Sequence, residues 1–479
     1  MASLRLYNTW SRTKEEFKPQ HPSKLWFQKP SVSLYTCGPT VYDYPHLGNL
    51  RTYLFEDILK RTLLANGYDV KHVMNITDVG HLTSDADEGE DKMEKGARAA
   101  GKSVTDLALF YTKIFKDNLK ELNILKPDKW TPATKYIKEQ IELIKRLVTK
   151  GYTYETNQAI YFNVKKFPNY TKLSGQPLDD KTVGARQEVV VDKQKKHPAD
   201  FALWFKLTGK FKNHVLHWPA PWGDGFPGWH LECSAMAMNT LGDTVDIHCG
   251  GIDHISVHHA NEIAQSEAVT GKTFVRYWLH GEFLTVDKGR MGKSEGNSLT
   301  LNTLKERGFA PLAYRYLILG THYRTPLTFS WESAAAAQAG LNNFFDKFTA
   351  LHKPLVPIPI KMGKDSPEME SLRNNFLTAI NDDLNAPKAL AVAWDVLKSN
   401  LDDTDKRNLL LECDKILGLR LDDLKPVSIP TKVTDLVKAR EMARQSKNWI
   451  KSDEIRQEIE QLGFKVEDTD SGPVVKPKR

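Results

Sequence analysis

Cysteine is scarce in the sequence, and long apolar runs are missing. Four cysteines in 479 residues are too few and too unevenly spaced for a disulfide framework, which fits a reducing compartment. The chain has no run of about 18 apolar residues, which a membrane-spanning helix would need. The first dozen residues also lack the apolar stretch of a secretory signal. These absences predict a cytoplasmic protein without a membrane partner.

The composition has no extreme of charge or polarity. Charged residues make up 27% of the chain and hydrophobic residues 40%, and the net charge is +7. These values exclude wholesale disorder and fibrous architectures, and the length predicts about three or four domains. The mild positive charge permits a nucleic-acid partner, but it is equally typical of a solvated basic surface.

The order of strand and helix patterns predicts an α/β fold. β-formers predict a strand at 32–37, apolar residues at helical spacing predict a helix at about 49–64, and 70–76 predicts a second strand. This is the unit of a parallel sheet, which binds ligands at the carboxyl ends of its strands. Farther along the chain, we expect a loop at 81–95, a helical stretch at 104–147, a strand at 244–248 and a helix at about 257–270. After Ser330 we expect a largely helical chain, with linkers at 353–367 and 425–430.

Histidines crowd one part of the chain, since eight of the fifteen lie between His214 and His280. His258 and Glu262 are four residues apart on a predicted helix and therefore point from one face. Cys37 and Cys233 would complete a tetrahedral site whose thiolate, imidazole and carboxylate donors suit zinc. The spacing alone leaves a second interpretation open, because such a pair is often solvated and buried cysteines are usually inert.

Two glycine-containing segments have the chemistry of phosphate binding. In 45–49, His46 and Gly48 precede a predicted helix, whose first N–H groups attract anions. In 290–297, Arg290 and Lys293 would offset the charge of a phosphate. Each segment by itself is equally compatible with an ordinary helix start or a charged turn.

Together and in this order, the segments resemble cysteinyl-tRNA synthetase, a class I aminoacyl-tRNA synthetase family. The blocks that carry the resemblance are 35–43, 46–49, 228–236, 246–248, 258–265 and 290–297, and further agreement extends from about Leu6 to the C-terminus. The resemblance implies a ligase that activates L-cysteine with ATP to cysteinyl-adenylate and transfers it to the 3′ end of tRNA(Cys). It also implies one zinc ion per chain, Mg²⁺ with ATP, and by our expectation a monomer.

The resemblance implies a Rossmann-like catalytic domain that is split by an insertion and followed by mostly helical regions. The expected boundaries are 1–110 and 221–300 for the two catalytic halves, 111–220 for the inserted region, 301–352 for the stem-contact region, 353–430 for the helical bundle and 431–479 for the anticodon-binding domain.

The family's functional residues fall on definite positions of this chain. The zinc ligands are the four that spacing nominated: Cys37, Cys233, His258 and Glu262. The His-x-Gly-His and Lys-Met-Ser-Lys-Ser signatures fall on catalytic candidates: His46, Gly48, Asn49, Arg290 and Lys293. ATP also meets Gly251 and Asp253, and the substrate positions are Gly38, Thr77, Trp229, His230 and His248.

Four positions depart from the family's pattern. Asn49 replaces the second signature histidine but still offers a donor to phosphate, so we expect activity to be retained. Arg290 replaces a lysine and keeps the charge, and Gly292 replaces a serine, which should loosen the loop. Ala260 stands where the family often has glutamate, at a position that is not a ligand.

The expected mechanism uses the metal to select cysteine over serine. A zinc ion binds a thiol as thiolate, whereas a hydroxyl is a harder and poorer ligand. The substrate sulfur would be a fifth ligand, and no editing domain should be needed. His46, Asn49 and the helix N-terminus would hold phosphate oxygens, while Lys293 and Arg290 stabilise the leaving pyrophosphate.

The predicted RNA contact lies near the C-terminus. Four basic residues recur at helical spacing and form a stripe if the helix is continuous: Arg440, Arg444, Lys447 and Lys451. Trp449 beside them could stack a base.

Two other functions remain to be weighed. A ligase of the mycothiol pathway, which joins cysteine to an amino sugar, would lack the anticodon-binding end, but residues 431–479 are present. A zinc-stabilised RNA-binding protein with a dead active site predicts loss of the phosphate-handling residues. All four of these are retained: His46, Gly48, Asp253 and Lys293.

Overall fold

The computed structural model describes residues 3–22, 29–80, 82–84, 88–178, 192–286, 289–290, 299–351, 366–424, 430–469 and 472–477. Its strands are β1 Arg5–Asn8, β2 Thr13–Glu16, β3 Ser31–Thr36, β4 Asp69–Ile76, β5 Leu82–Ser84, β6 Glu88–Asp91, β7 Lys129–Pro132, β8 Thr153–Glu155, β9 Ala159–Phe162, β10 Phe201–Lys206, β11 Gly225–Pro227, β12 Val245–Gly251, β13 Val275–Gly281, β14 Leu284–Val286, β15 Gly289–Arg290, β16 Leu327–Phe329, β17 Phe464–Thr469 and β18 Gly472–Pro477.

Its helices are α1 Leu47–Ala65, α2 Lys92–Ala100, α3 Val104–Glu121, α4 Ile137–Thr149, α5 Trp229–Leu241, α6 His258–Thr270, α7 Leu301–Glu306, α8 Pro311–Leu319, α9 Trp331–Ala350, α10 Pro367–Asn381, α11 Ala386–Lys398, α12 Asp403–Leu417, α13 Thr431–Gln445 and α14 Trp449–Gln461. None of these helices is long and apolar enough to cross a membrane.

A five-stranded parallel sheet forms the centre of the catalytic region, in the order β13-β12-β3-β4-β7. The helix α1 connects β3 to β4 and is buried along most of its length. Because all five strands are parallel, their carboxyl ends meet at one edge, where open α/β sheets bind ligands. The predicted α/β, Rossmann-like fold is confirmed.

An insertion between β7 and α5 carries a second sheet. Its four antiparallel strands follow the order β11-β10-β9-β8, and stacked aromatic rings fill one side. Phe162 and Phe201 lie 5.0 Å apart, as do Phe205 and Phe226. This part of the chain therefore forms a sheet of its own.

The loop expected at 81–95 was wrong in part, because β6 lies within this segment and Asp91 caps α2 by accepting hydrogen bonds from the N–H groups of Met93 and Glu94. The stretch 104–147 is mostly helical, with α3 and α4, and it also contains β7, an edge strand of the central sheet. The chain after Ser330 is largely helical, as expected, and it ends in the antiparallel β17–β18 pair.

The predicted linkers lie mostly outside the described residues, at 352–365 and 425–429. Pro367, which was included in the first linker, is instead the first residue of α10. A proline fits that position because its fixed φ suits the first turn and no N–H is needed there.

The helical bundle α10–α12 is joined to the catalytic region through the buried carboxylate of Asp383. It accepts hydrogen bonds from the Tyr7 backbone N–H and the Tyr323 hydroxyl, each at 2.8 Å. The Arg324 guanidinium binds the same carboxylate, with Nη2 2.6 Å from Oδ2. One side chain therefore fixes the bundle against both β1 and the segment before β16.

We predict that Asp383→Ala destabilises the protein by about 3–5 kcal/mol, because it leaves Arg324 and the Tyr323 hydroxyl without their buried partner. Asp382→Ala is the matched control, since its ion pair with Lys14 is half exposed and should contribute less than about 1 kcal/mol. Urea unfolding midpoints of the two variants measure the difference. Equal midpoints would contradict this role for Asp383.

Candidate metal centre and active site

Four side chains from separate segments converge at the carboxyl edge of the central sheet. Cys37 follows β3, Cys233 lies in α5, and His258 and Glu262 occupy successive turns of α6. All four side chains are buried, and one ligand atom from each lies within 4.8 Å of all the others. The structure therefore brings together the four residues that spacing nominated.

The donor set of this cluster fits a zinc ion, since two thiols, an imidazole and a carboxylate are the groups that zinc binds. Burial alone would raise the pKa of Glu262, but His248 and His258 outweigh it and lower this pKa to about 2. Burial also opposes ionisation of Cys233, yet hydrogen bonds from Cys37 and His258 lower its pKa to about 6. The cluster thus stabilises two of the anionic groups that a cation needs.

A second possible ligand group overlaps the first and consists of Cys37, His248, His259 and Glu262. His258 Nε2 lies 3.1 Å from one oxygen of Glu262, and His248 Nε2 lies 3.0 Å from the other. With His258 as ligand, His248 would orient the carboxylate from behind, as outer partners of metal sites do. His248, which the sequence assigned to the substrate pocket, is fully buried against Glu262.

The sequence reasoning missed a histidine chain behind the cluster. His259 Nε2 lies 3.4 Å from the Cys37 sulfur, and His259 Nδ1 lies 2.8 Å from His280 Nε2. Burial lowers the pKa values of both His259 and His280, so both rings are neutral at neutral pH. The high density of histidines between 214 and 280 was the feature of the sequence that could have indicated this chain.

The remaining substrate candidates surround the cluster. The Thr77 hydroxyl donates to Glu232 Oε2 at 2.9 Å. Trp229 stacks on the His258 ring with centroids 4.2 Å apart, and His230 Nδ1 lies 3.0 Å from His258 Nδ1. Gly38 fits because a Cβ there would collide with the Asn75 carbonyl. Trp229 and His230 thus contact His258 of the cluster, and Thr77 contacts Glu232, the neighbour of Cys233 in the chain.

The nucleotide candidates begin at the N-terminus of α1. His46 caps the helix by accepting from the Asn49 N–H at 3.1 Å, and Asn49 Oδ1 accepts from the His46 N–H at 3.2 Å. A Cβ at Gly48 would lie 3.0 Å from the His46 ring, so the glycine leaves room there. Asn49 is exposed, which keeps its amide accessible to a ligand.

Gly251 and Asp253 lie at the end of β12, on the same edge of the sheet as α1. Asp253 is in a short turn of 3₁₀ helix after this strand. A Cβ at Gly251 would collide with the Asp253 carboxylate and lie 4.0 Å from the Thr52 hydroxyl of α1. The two halves of the predicted ATP site are thus adjacent.

Of the segment 290–297, which contains the Lys-Met-Ser-Lys-Ser signature, the structure describes only Arg290. Arg290 belongs to β15, whose backbone pairs with Thr285 of β14, while Gly292 and Lys293 lie outside the described residues. The chain returns at Leu299, whose carbonyl accepts from the Leu47 N–H at 2.7 Å. Leu299 therefore lies next to the start of α1.

The expected basic stripe near the C-terminus does not form. The helix is interrupted between α13 and α14, where Lys447 has a φ of +58°. Arg440 is only 2% exposed and binds both oxygens of Asp468, at 2.7 and 2.9 Å. Arg444 and Trp449 remain on the surface, with the guanidinium carbon 5.8 Å from the ring centroid.

The fold and the two sets of site residues define a class I aminoacyl-tRNA synthetase. The family described as the catalytic domain of class I (C) tRNA synthetases matches residues 25–339, and the anticodon-binding domain of cysteinyl-tRNA ligase matches 427–472. The fold is also that of methionyl-tRNA synthetase from Mycobacterium tuberculosis, with a TM-score of 0.54 and 16% identity over 82% of this chain and 90% of that one.

Curated relatives define the family more closely. A cysteine--tRNA ligase of Treponema denticola is 46% identical over 97% of this chain and 98% of its own length. Cysteine--tRNA ligase 1 of Burkholderia lata is 45% identical over 98% and 96%, respectively. The chain belongs to the cysteine--tRNA ligase family.

We predict that Cys233→Ser lowers the metal content of the purified protein at least several-fold, because a hydroxyl is a poor replacement for a thiolate ligand. Cys249→Ser is the matched control, since Cys249 is equally buried nearby but belongs to neither ligand group. Elemental analysis of both variants provides the measurement. Full metal occupancy in Cys233→Ser would remove this residue from the ligand set.

We predict different effects for two residues of the expected basic stripe, Arg440 and Lys447. Arg440→Ala should unfold or loosen the C-terminal domain, because it removes a two-pronged ion pair with Asp468. Lys447→Ala should leave the fold intact, since this side chain is exposed. Limited proteolysis of the two variants compares them, and equal resistance would show that the buried pair has no structural role.

Proposed function

We propose that the protein activates L-cysteine with ATP, forming cysteinyl-adenylate and diphosphate, and then transfers cysteine to the 3′ end of tRNA(Cys) with release of AMP. The observation that carries this proposal is the convergence of Cys37, Cys233, His258 and Glu262 beside the nucleotide candidates on one edge of the sheet. A metal site that binds a thiolate, next to a helix that binds phosphate, suits cysteine as the amino acid to be activated.

The metal proposed for this site is zinc, held by the four clustered side chains. Zinc bound there would take the substrate sulfur as thiolate, which a serine hydroxyl does not match. A difference of a few kcal/mol would give about 100- to 1000-fold discrimination. The role of the protein is to keep the ligands buried and charged, as His248 does for Glu262.

We assign the rest of the amino-acid pocket to Gly38, Thr77, Trp229 and His230. Trp229 is half-buried and stacks on the metal-binding His258, so its indole would form a wall of the pocket. Thr77 is held by Glu232, and the close packing at Gly38 brings backbone near the substrate. These groups orient the cysteine so that its carboxylate faces the ATP.

For the activation step, we assign phosphate binding to His46, Asn49 and the N-terminus of α1, next to Gly48. Their N–H groups and the helix dipole favour the charge that grows on the α-phosphate. Lys293, with Arg290, stabilises the leaving diphosphate, and Gly251 and Asp253 receive the ribose. Mg²⁺ would accompany ATP through phosphate oxygens and water.

We propose that the domains follow the boundaries expected from the sequence and that 431–479 contacts the anticodon. Lys447 and Trp449 are exposed on this domain. Arg444 and Lys451 lie on its surface and pair with Asp468 and Glu454 at 3.1 and 3.0 Å, whereas Arg440 contributes indirectly through Asp468. We further propose a cytoplasmic, monomeric enzyme.

Cysteine-dependent exchange between ATP and pyrophosphate tests the proposal directly. We expect exchange with cysteine, little with serine, and loss of exchange after treatment with a chelator that is reversed by added zinc. Exchange that depends equally on serine, or no exchange in protein with full metal content, would contradict the proposed activity.

We predict that Lys293→Ala slows adenylate formation by about 100-fold or more, which corresponds to about 2.7 kcal/mol of transition-state stabilisation, while metal content is unchanged. Lys398→Ala is the control, because this lysine is on the exposed surface of α11. Pre-steady-state measurement of adenylate formation provides the rate. An unchanged rate in Lys293→Ala would refute the assigned role.

A further inference from the structure

A cluster of exposed apolar side chains lies beside the N-terminus of α1. Phe110 and Tyr111 of α3 have ring centroids 5.1 Å apart, and Tyr111 lies 5.2 Å from Tyr44. Phe110 is 40% exposed, Tyr44 37%, and the neighbouring Leu109 65%. We call these four residues the aromatic patch. Since Tyr44 precedes His46 by two residues, the patch borders the proposed ATP site.

The surroundings of the aromatic patch are basic. Lys102 Nζ lies 3.8 Å from the centroid of the Phe110 ring. The hairpin of α2 and α3, residues 92–121, contains seven basic and four acidic residues. Two of the acidic residues are already engaged within α3, since Asp117 pairs with Lys113 at 2.7 Å and Asp106 accepts from Ser103. A negatively charged partner with flat apolar groups would complement this surface.

The hairpin also bridges the two regions that flank the catalytic edge. At one end, His214 Nε2 lies 3.2 Å from Asp91 Oδ2, and the Val215 N–H donates to Glu94 Oε1 at 2.6 Å. At the other end, Lys305 of α7 lies 2.9 Å from Glu121. The hairpin that carries most of the aromatic patch therefore contacts both the loop at 214–215 and α7, and Tyr44 places the patch next to the start of α1.

We propose that the aromatic patch and Lys102 bind the unpaired 3′ end of the tRNA during the transfer step. Proteins bind single-stranded RNA by stacking bases on aromatic rings and by neutralising phosphates with basic side chains, and this surface offers both, with Tyr44 two residues from His46. A protein partner would use the apolar groups but would leave the lysines unexplained. The inference rests on the proposed function, because it takes tRNA as the substrate.

The test compares Phe110→Ala with Phe110→Tyr, and uses Leu64→Ala as control because Leu64 is exposed on α1 outside the patch. Each variant is titrated with full-length tRNA and with tRNA lacking its unpaired 3′-terminal nucleotides. Pyrophosphate exchange and single-turnover transfer are measured on the same preparations. Loss of one base–aromatic stack should weaken binding or transfer by about tenfold, within the range known for such stacks.

We expect Phe110→Ala to weaken both the binding of full-length tRNA and the transfer of cysteine to it. The binding of truncated tRNA and the rate of pyrophosphate exchange should stay unchanged. Phe110→Tyr should retain the binding and transfer of the wild-type protein. Equal weakening with both tRNAs, a loss of exchange, or no effect on either tRNA would overturn the inference. If wild-type protein shows no cysteine-dependent exchange, the proposed function fails instead. The two failures are therefore distinguishable.

Discussion

The site depends on keeping a carboxylate charged in the interior of the protein. Glu262 is fully buried, and it stays ionised because imidazoles hold both of its oxygens. A buried charge without such partners would cost several kcal/mol or take up a proton. Two buried thiols lie beside this carboxylate, so the four side chains form a group that could hold a metal ion.

The parallel sheet supplies the geometry that this cluster and the nucleotide candidates share. The strands β3 and β12 are adjacent and parallel in this sheet. Cys37 follows the carboxyl end of β3, and Gly251 lies at the carboxyl end of β12. The helix α1 begins beside them, with His46 and Asn49 capping its first turn. The clustered side chains and the nucleotide candidates therefore lie on one edge of the sheet. The Asp383 carboxylate fixes the helical bundle against this arrangement from the other side.

The sequence predicted the sheet unit and the four clustered ligands, because helical spacing in α6 and motif positions determine them locally. It could not predict which side chains contact each other in the core. The contacts of His259 with Cys37 and His280, and the contact of His248 with Glu262, were therefore missed. The basic stripe failed for a local reason, since the left-handed backbone at Lys447 ends the helix that the spacing assumed. Arg440 was misread because its partner, Asp468, lies in a strand 28 residues farther along the chain. Tertiary packing therefore decided the positions of the histidines and of Arg440.

X-ray absorption at the zinc edge tests the central claim most directly, namely that Cys37, Cys233, His258 and Glu262 hold a zinc ion that recognises the sulfur of the incoming amino acid. The account predicts two sulfur ligands in the isolated protein, a third sulfur on addition of cysteine, and no change on addition of serine. A spectrum with no sulfur ligand, or one that is the same with and without cysteine, would contradict it.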